Sequence, residues 1–380
     1  MKQFSTSRRT LLFSGLGSTA ALGVGLFYNR QPGSKQVNWT MHSFLGDGAK
    51  DKVLLYKVPY LISKRIAEIT DDNFKINVIS SGRETEQILK DVGISKEYEC
   101  GYSGIYYETK ENRALYFGCA IPFGLSPHEQ TAWLSYKEDD NDDWTLIQKL
   151  YQDLKLNIIP FPAAATGGQM GGWFREELTT PESLTGKRMR IPGLGAKVFQ
   201  KLGVRPDSDV YPKALLPQEI APELEKGKSN NKQALDAAEW IGPYDDIRLN
   251  LDKAGAKYYY YPGWWEPSTT FDVQVNIDAW KSLSNEYQAI FKHACKEIYD
   301  YILTQYVTKN SRALKTLIDR GIEVQRFPDK ILKVAKIKTD ELLAEYDDNG
   351  KDQFKTVHNK WKDFRQAYRD WSKHTDITRI

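Results

Sequence analysis

Two arginines in the segment KRMRIPG, Arg188 and Arg190, are of the residue type that holds a small anion. A planar guanidinium donates two parallel hydrogen bonds to a carboxylate, whereas a lysine ammonium acts only as a point charge. The segment predicts a strand end, and residues two positions apart on a strand share a face, so register does not separate the two arginines. A surface ion pair is the alternative role for an arginine at this position.

Oxygen ligands form a second group: the side chains of Gln169 in GGQMGG and of Glu239 in AAEW, together with the main chain around Trp240. Side-chain and main-chain oxygens are the ligands that sodium and calcium prefer, and no imidazole or thiolate accompanies them. A buried glutamate beside an anionic ligand needs such a counter-charge. The alternative is that Glu239 is a solvated glutamate at the end of an element.

The stretch YYYYPGWWEP concentrates six aromatic side chains in ten residues. Alternation over residues 257–261 predicts a strand whose tyrosines face the core and the exterior by turns. Pro262 and Gly263 break that strand, and we expect Trp264 or Trp265 to line a cleft beyond the break. A platform for stacking sugars is the competing hypothesis for the tryptophan pair.

Composition argues against several classes of function. The 380 residues carry 53 basic and 50 acidic side chains without a concentrated basic stripe, which disfavours a nucleic-acid-binding protein. The histidines are scattered, and the three cysteines lack metal-ligand spacing and allow one disulfide at most. We expect each cysteine to be buried as a small apolar residue. The glycines of GGQMGGWF lack the Lys-Ser or Lys-Thr of a phosphate loop.

Helix and strand signals alternate along the chain. Amphipathic helical periodicity up to Thr70 is followed by a turn and by a strand from Phe74, and a long helix from about Ser284 leads to a return strand at residues 323–327. This alternation predicts an α/β fold with mainly parallel sheets. Residues 328–380 have the periodicity of further helices, for which we expect a role in packing or dimerisation.

The first 35 residues have the order of an export signal: a basic start, the pair Arg8 and Arg9, and then a run of glycine, alanine and leucine. An arginine pair before a weakly apolar run is the twin-arginine form, which exports folded proteins. The alternatives are an ordinary secretory signal and a segment that stays on the protein as a membrane anchor.

Three stretches of the chain resemble the extracytoplasmic substrate-binding subunit of TRAP transporters, the DctP-like family. They are most similar to the subgroup that binds 2-oxo acids and related small carboxylates, often labelled as mannitol or chloroaromatic binding. The stretches are residues 166–203, 236–246 and 258–276. The resemblance implies a two-lobed, periplasmic-binding-protein-like α/β fold with a cleft, hinge-crossing segments and C-terminal helices. Its implied boundaries are lobe I at 36–165 and 270–327, lobe II at 166–269, and a helical extension at 328–380.

The resemblance also implies roles for the charged group. Arg190 is the position that matches the family's carboxylate-binding arginine. A bound sodium or calcium ion is implied to lie on Gln169, Glu239 and the main chain around Trp240, where Gln169 also contacts the ligand. Glu266 is an additional expected contact to the cation or the ligand.

Further contacts are implied for Tyr106 and Tyr107, which match an aromatic pair at the edge of the cleft. Asn276 matches a position near the ligand but equally fits as a helix cap. The chain departs from the family in lacking a proline after Trp39 and in having a longer connection over residues 203–236, which affects the rim of the expected pocket.

The resemblance implies a periplasmic binding protein without catalytic activity. Its ligand is expected to be a 2-oxo or 2-hydroxy monocarboxylate such as pyruvate or lactate, and its partners the two integral-membrane subunits of a transporter, with a homodimer through the C-terminal helices as a further expectation. Two hypotheses from other classes compete with it. One is a carbohydrate- or polyol-binding protein that stacks sugars on Trp264 and Trp265, and the other is a metal-assisted enzyme with Glu239 and Glu266 as acid and base.

Overall fold

Two β-sheets organise the part of the chain that the computed structural model describes, residues 36–80, 82, 85–94, 98–108, 112–206, 215–229, 234–348 and 353–375. Within these ranges the strands are β1 (Val37–Ser43), β2 (Phe74–Ser80), β3 (Cys100–Ser103), β4 (Ile158–Ala165), β5 (Trp173–Phe174), β6 (Arg188–Arg190), β7 (Arg205–Pro206), β8 (Ala237–Ala238), β9 (Tyr258–Tyr261), β10 (Thr270–Asn276) and β11 (Glu323–Arg326). The α-helices are α1 (Val58–Ile69), α2 (Thr85–Ile94), α3 (Pro127–Leu134), α4 (Leu146–Asp153), α5 (Gly193–Lys201), α6 (Pro217–Glu225), α7 (Pro243–Arg248), α8 (Ile277–Ser282), α9 (Asn285–Asp319), α10 (Asp329–Asp348) and α11 (Phe354–Thr375).

The first sheet has the strand order β2, β1, β3, β10, β4 among the described residues. Strands β1, β2 and β3 are parallel, whereas β10 runs antiparallel to both of its neighbours. The edge strand β2 begins with alternating buried and exposed residues, while β10 is buried along its whole length. A strand buried on both faces indicates that the sheet is covered on both sides.

The second sheet has the order β11, β9, β5, β8, β6, β7 over the described chain. Here β5 runs against its neighbours β9 and β8, and the other strands share one direction. The prediction of an α/β fold with mainly parallel sheets is confirmed. In each sheet the reversed strand, β10 or β5, is one that the chain enters directly from a strand of the other sheet.

Two segments carry the chain between the sheets. The first crossing, residues 166–172, links β4 to β5, and the second crossing, residues 262–269, links β9 to β10. The main-chain N–H of Thr166 donates to the main-chain oxygen of Thr269 at 3.0 Å, so the two crossings lie side by side. They are the hinge-crossing segments that the family resemblance implies.

Gly263 marks a close approach of the two crossings. Its N–H donates to the main-chain oxygen of Gln169 at 2.9 Å. A Cβ atom at position 263 would lie 2.6 Å from the main-chain oxygen of Met170 and 3.0 Å from that of Gln169. Because a Cβ atom does not fit at such distances, any larger residue would have to displace one of the crossings.

Helix α9 makes a third connection between the sheets. Ser284 caps its N-terminus and accepts a hydrogen bond from the Tyr287 N–H at 3.2 Å. With 35 residues the helix is about 50 Å long, and it packs on β4 of the first sheet. The strand that follows it, β11, pairs with β9 in the second sheet. The structure thus places Glu323–Arg326 in the second sheet, whereas the implied boundaries assign it to lobe I. The difference arises because α9 is long enough to carry the chain from one sheet to the other.

The C-terminal helices pack against their own chain. Helix α10 is tied to α5 by a hydrogen bond from Lys201 Nζ to Glu345 Oε1 at 2.6 Å. Helix α11 packs on α3, where the ring centroids of Phe364 and Trp133 are 5.3 Å apart. These contacts agree with the predicted packing role, and the homodimer stays a prediction.

The three cysteines, Cys100, Cys119 and Cys295, are buried free thiols, as the sequence predicts. Within the described ranges, no helix combines the length and the apolar character needed to span a membrane. The predicted signal segment, residues 1–35, lies outside the described residues.

Candidate functional site

A small cavity lies where the two sheets and the two crossings meet. The empty space between its lining residues is about 230 Å³ and includes the part that is open to solvent. Every residue that lines it is buried. The lining residues are Tyr106, Gln169, Arg190, Pro192, Glu239, Trp240, Ile241, Glu266 and Phe271. Six of the residues that the sequence predicts for the site are among them.

Arg190 ends β6, and its side chain is only 2% exposed. Its Nη1 donates to the main-chain oxygen of Glu239 at 3.1 Å and to the Glu239 carboxylate, while Nη2 donates to the main-chain oxygen of Leu215 at 3.4 Å. The guanidinium carbon lies 5.3 Å from the centroid of the Trp240 ring, a cation–π contact. Arg188, which strand register alone leaves as an alternative, is not one of the described residues that line the cavity.

Glu239 is held beside Arg190 by the second sheet. Strand β8 pairs with β6 so that Ala238 is opposite Arg190, and the Glu239 N–H donates to the Arg190 main-chain oxygen at 3.2 Å. The two charged side chains form an ion pair in which both are almost fully buried. The structure therefore does not support a solvated Glu239, because burial of this carboxylate is compensated by the guanidinium.

Gln169, in the first crossing, has its amide nitrogen surrounded by acceptors. Nε2 lies 3.0 Å from Thr166 Oγ1, 2.7 Å from Thr269 Oγ1 and 3.4 Å from Glu266 Oε2. The amide oxygen Oε1 is buried and has no hydrogen-bond partner among the residues that the structure describes. A buried acceptor without a partner is costly, so this oxygen is a candidate ligand for a bound cation or solute.

Glu266, in the second crossing, is a buried acid whose hydrogen-bond donors are neutral. The Thr269 hydroxyl donates to Oε2 at 2.7 Å, and the Gln169 amide donates to the same oxygen. Burial raises the pKa of Glu266, and the two hydrogen bonds together with the charge of Arg190 oppose that shift. The carboxylate is thus placed where a cation would favour its ionised form.

The oxygen atoms around the cavity are ligands of the type that a hard cation prefers. They are the amide oxygen of Gln169, the carboxylates of Glu239 and Glu266, and the main chain around Trp240. In the described part of the chain, no group of three or more His, Cys, Asp or Glu side chains is placed to hold a metal ion. Two carboxylates with neutral oxygens form a donor set suited to sodium or calcium.

The two tyrosines predicted at the edge of the cleft differ in what the structure describes. Tyr106 lines the cavity, and its ring centroid is 6.2 Å from that of Phe271 in an edge-to-face arrangement. The side chain of Tyr107 lies outside the described part of the structure.

Asn276 occupies the helix-cap role that the sequence leaves open. Its Oδ1 accepts hydrogen bonds from the N–H groups of Asp278 and Ala279, and Nδ2 donates to the Val92 main-chain oxygen at 2.8 Å. It lies five residues beyond Phe271 along β10, about 17 Å away. Asn276 does not contribute to the cavity, because its side chain contacts α8 and Val92 at the far end of the strand.

Trp264 and Trp265 lie in the core and not on the cavity. They are 3% and 0% exposed, and their ring centroids lie 5.0 and 5.1 Å from that of Phe199 in α5. Trp264 also stacks on Phe123 at 5.0 Å. A Cβ atom at Gly195 would lie 2.9 Å from the Trp265 ring, so α5 rests directly on this indole. The predicted cleft wall is therefore formed by other residues, and the indole faces are covered by protein and unavailable for stacking a sugar.

Several residues of the site carry no clear signal in the sequence. Phe271, Pro192 and Ile241 also line the cavity. Ile241 directly follows Trp240, Pro192 lies two positions after Arg190, and Phe271 lies within β10. Thr166 and Thr269 hydrogen-bond to the site from opposite ends of the two crossings. Their contact joins positions 103 residues apart, which no local pattern reveals.

Comparisons with known proteins agree with this architecture. A curated monocarboxylate 2-oxoacid-binding periplasmic protein of Nostoc is 40% identical over 320 residues, 83% of this chain and 82% of that protein. A TRAP transporter solute-binding protein of Bordetella bronchiseptica, solved with copurified calcium and picolinate, is 32% identical with a TM-score of 0.78 over 90% of this chain and 95% of that one. A counterpart from Pseudoalteromonas atlantica, solved with sodium and pyruvate, is 30% identical with a TM-score of 0.78 over 90% and 98%.

The family model of the bacterial extracellular solute-binding proteins, family 7, DctP, matches residues 45–349. The chain belongs to this family, whose role is that of a binding component of transport. The resemblance to TRAP solute-binding subunits that the sequence motifs carry is thereby confirmed.

Proposed function

We propose that this member of the family is the solute-binding subunit of a TRAP-type transporter that captures a small 2-oxo or 2-hydroxy monocarboxylate together with sodium or calcium. Pyruvate and lactate are the proposed ligands of the right size. The 2-oxoacid-binding relative and the relatives solved with pyruvate or picolinate and a cation support this proposal.

The observation that carries the proposal is a buried guanidinium beside an amide oxygen, both at the cavity. The amide oxygen has no hydrogen-bond partner within the described ranges. Arg190 supplies the positive charge for a carboxylate, and Gln169 Oε1 supplies a neutral ligand for a cation. Carbohydrate binding lacks such support, because Trp264 and Trp265 are covered on their faces.

The charges of the site explain why a cation accompanies the acid. Arg190 contributes one positive charge, and Glu239 and Glu266 contribute two negative charges when ionised. A monocarboxylate would raise the excess negative charge to two in a buried site, which is unfavourable without a counter-ion. Calcium would neutralise that excess fully and sodium by half, so either ion lowers the cost of binding.

Binding of a carboxylate to Arg190 would require the ion pair between Arg190 and Glu239 to separate. The ligand carboxylate would accept hydrogen bonds from the guanidinium, and Glu239, released from Arg190, would be one of the residues that hold the cation. Closure of the two lobes excludes water and strengthens these charged contacts. A micromolar Kd, which corresponds to about 8 kcal/mol, suits a protein that collects a dilute solute.

The remaining parts of the proposal concern location and partners. The protein acts in the periplasm after twin-arginine export directed by residues 1–35, with retention of that segment as an anchor as the alternative. It is not an enzyme and delivers its ligand to the two integral-membrane subunits. The C-terminal helices are the proposed surface for a homodimer. A related structure described as a mixed occupancy dimer supports dimer formation as such.

A thermal-shift and calorimetry panel tests the proposal. Pyruvate, lactate, longer 2-oxo acids and mannitol are each titrated with sodium, with calcium, and with neither ion. We expect stabilisation by a small 2-oxo or 2-hydroxy acid that is larger when a cation is present, and recovery of the acid unchanged. Stabilisation by mannitol alone would support the carbohydrate hypothesis, and conversion of the acid would support the enzyme.

A further inference from the structure

Two threonine hydroxyls, one from each crossing, contact the amide of Gln169. Thr166 comes from the first crossing and Thr269 from the second, and each is 1% exposed. Their hydroxyl oxygens lie 3.0 and 2.7 Å from Gln169 Nε2. The Thr269 N–H also donates to Thr166 Oγ1 at 3.0 Å, which joins the two threonines directly.

Each hydroxyl has one proton, and each is directed away from Gln169. The Thr269 hydroxyl donates to Glu266 Oε2 at 2.7 Å. The Thr166 hydroxyl donates to the main-chain oxygen of Gly167 at 3.0 Å. Toward Gln169 both oxygens therefore act as acceptors, so the group that faces them is the NH₂ of the amide.

This arrangement determines which end of the amide is left over. A flipped amide would place its oxygen against two hydroxyl oxygens whose protons are used elsewhere, and would lose both hydrogen bonds. With the nitrogen held by the threonines, Oε1 is left buried at the cavity and has no hydrogen-bond partner in the described part of the chain.

We propose that Thr166 and Thr269 are positioning residues that orient the Gln169 amide oxygen toward the cavity and thereby set the affinity of the site for its cation. The inference rests on the proposed function, because it assumes the cation site. Since one threonine belongs to each crossing, the orientation exists only while the two crossings are side by side. Cation affinity is thus linked to the alignment of the hinge.

The test is a calcium titration of the purified full chain, by calorimetry and thermal shift, first with calcium chloride alone and then with pyruvate. Thr269→Val keeps the side-chain shape and removes the hydroxyl, and Thr269→Ser keeps the hydroxyl. We expect the valine variant to weaken calcium binding by about 10- to 100-fold, as changes to groups that orient metal ligands do, and the serine variant to stay within about threefold.

Repeating the titration in a Gln169→Glu background isolates the effect of the amide orientation on calcium affinity. In Gln169→Glu both terminal atoms are oxygens, so no hydroxyl is needed to choose between them. We expect Thr269→Val to change calcium affinity less than about threefold in this background, although the contact to Glu266 is lost in both. Equal losses in the two backgrounds would overturn the inference, as would normal calcium affinity in Thr269→Val.

The wild-type titration separates this inference from the function on which it rests. A wild type that binds pyruvate without any response to calcium or sodium contradicts the cation site and the inference together. A wild type that responds, with variants that respond equally, contradicts the inference alone. Urea unfolding in the absence of calcium shows whether a variant has merely lost stability.

Discussion

The two walls of the cavity hold their charges in different ways. The sheet wall (Arg190, Glu239 and Trp240) stands on the neighbouring strands β6 and β8, and its acid is neutralised by its own arginine. The crossing wall (Gln169 and Glu266) stands on the two segments that link the sheets, and its acid is hydrogen-bonded by neutral groups. We infer that the sheet wall is electrostatically complete before a ligand binds, because Glu239 pairs with Arg190, whereas the crossing wall depends on a cation to become so.

Removal of the arginine breaks the sheet wall and should have the largest effect. Arg190→Met takes away the carboxylate ligand's partner and leaves the buried Glu239 without its counter-charge. We expect pyruvate affinity to fall more than about 100-fold and the free energy of unfolding to fall by about 3 to 5 kcal/mol at neutral pH. Calorimetry and urea unfolding measure the two effects.

The double variant Arg190→Met with Glu239→Gln is the matched control, because it also removes the stranded charge. It should regain most of the lost stability and none of the affinity. A single variant as stable as the wild type would contradict the buried ion pair. A single variant with unchanged affinity would contradict the role of Arg190 as the carboxylate partner.

A methyl group at the closest approach of the crossings tests the geometry of the crossing wall. In Gly263→Ala the new Cβ meets the main-chain oxygens of Met170 and Gln169, so a crossing must move. We expect a loss of about 1 to 3 kcal/mol in the free energy of unfolding and weaker cation binding. The control is Gly168→Ala in the first crossing, where a Cβ meets nothing within 4 Å and the change should stay within about 0.5 kcal/mol. Equal effects of both variants would argue against a tight hinge.

The smallest predicted effect is a pH dependence of stability without cation. Burial raises the pKa of Glu266 above its ordinary value, so over the interval between the two values the folded state binds more protons than the unfolded state. The free energy of unfolding should therefore fall as pH rises through that interval, and Glu266→Gln should reduce the slope. Asp245, Asp246 and Asp272, whose pKa burial raises to about 7, supply the slope that remains between about pH 4 and 7. Urea unfolding at several pH values measures it, and an unchanged slope in Glu266→Gln would contradict the buried acid.

The charged and amide residues of the two walls all line the cavity, as the sequence leads us to expect. Register alone leaves Arg188 and Arg190 as alternatives, and the family motif selects Arg190. The residues after Pro262 follow a turn, and neither period nor register determines the direction of Trp264 and Trp265 there. Their indoles enter the core because α5 supplies a covering surface that is remote in sequence.

The fold shows the same division. The α/β class, the helix α1 and the strand after it follow from local periodicity and are confirmed. The sheet that β11 joins depends on the length and direction of α9, a tertiary property that no short window contains. The hydroxyl contacts of Thr166 and Thr269 are likewise formed only when the two crossings come together.

The three buried thiols can report unfolding of the protein. Burial raises the pKa of Cys100, Cys119 and Cys295, so the reactive thiolate is scarce and shielded in the folded protein. Cys100 lies in β3, inside the first sheet and away from the two crossings, so we expect cleft opening to leave it covered. The rate at which an alkylating reagent labels that thiol would therefore time unfolding events and remain silent to the binding cycle, with no engineered label on the chain.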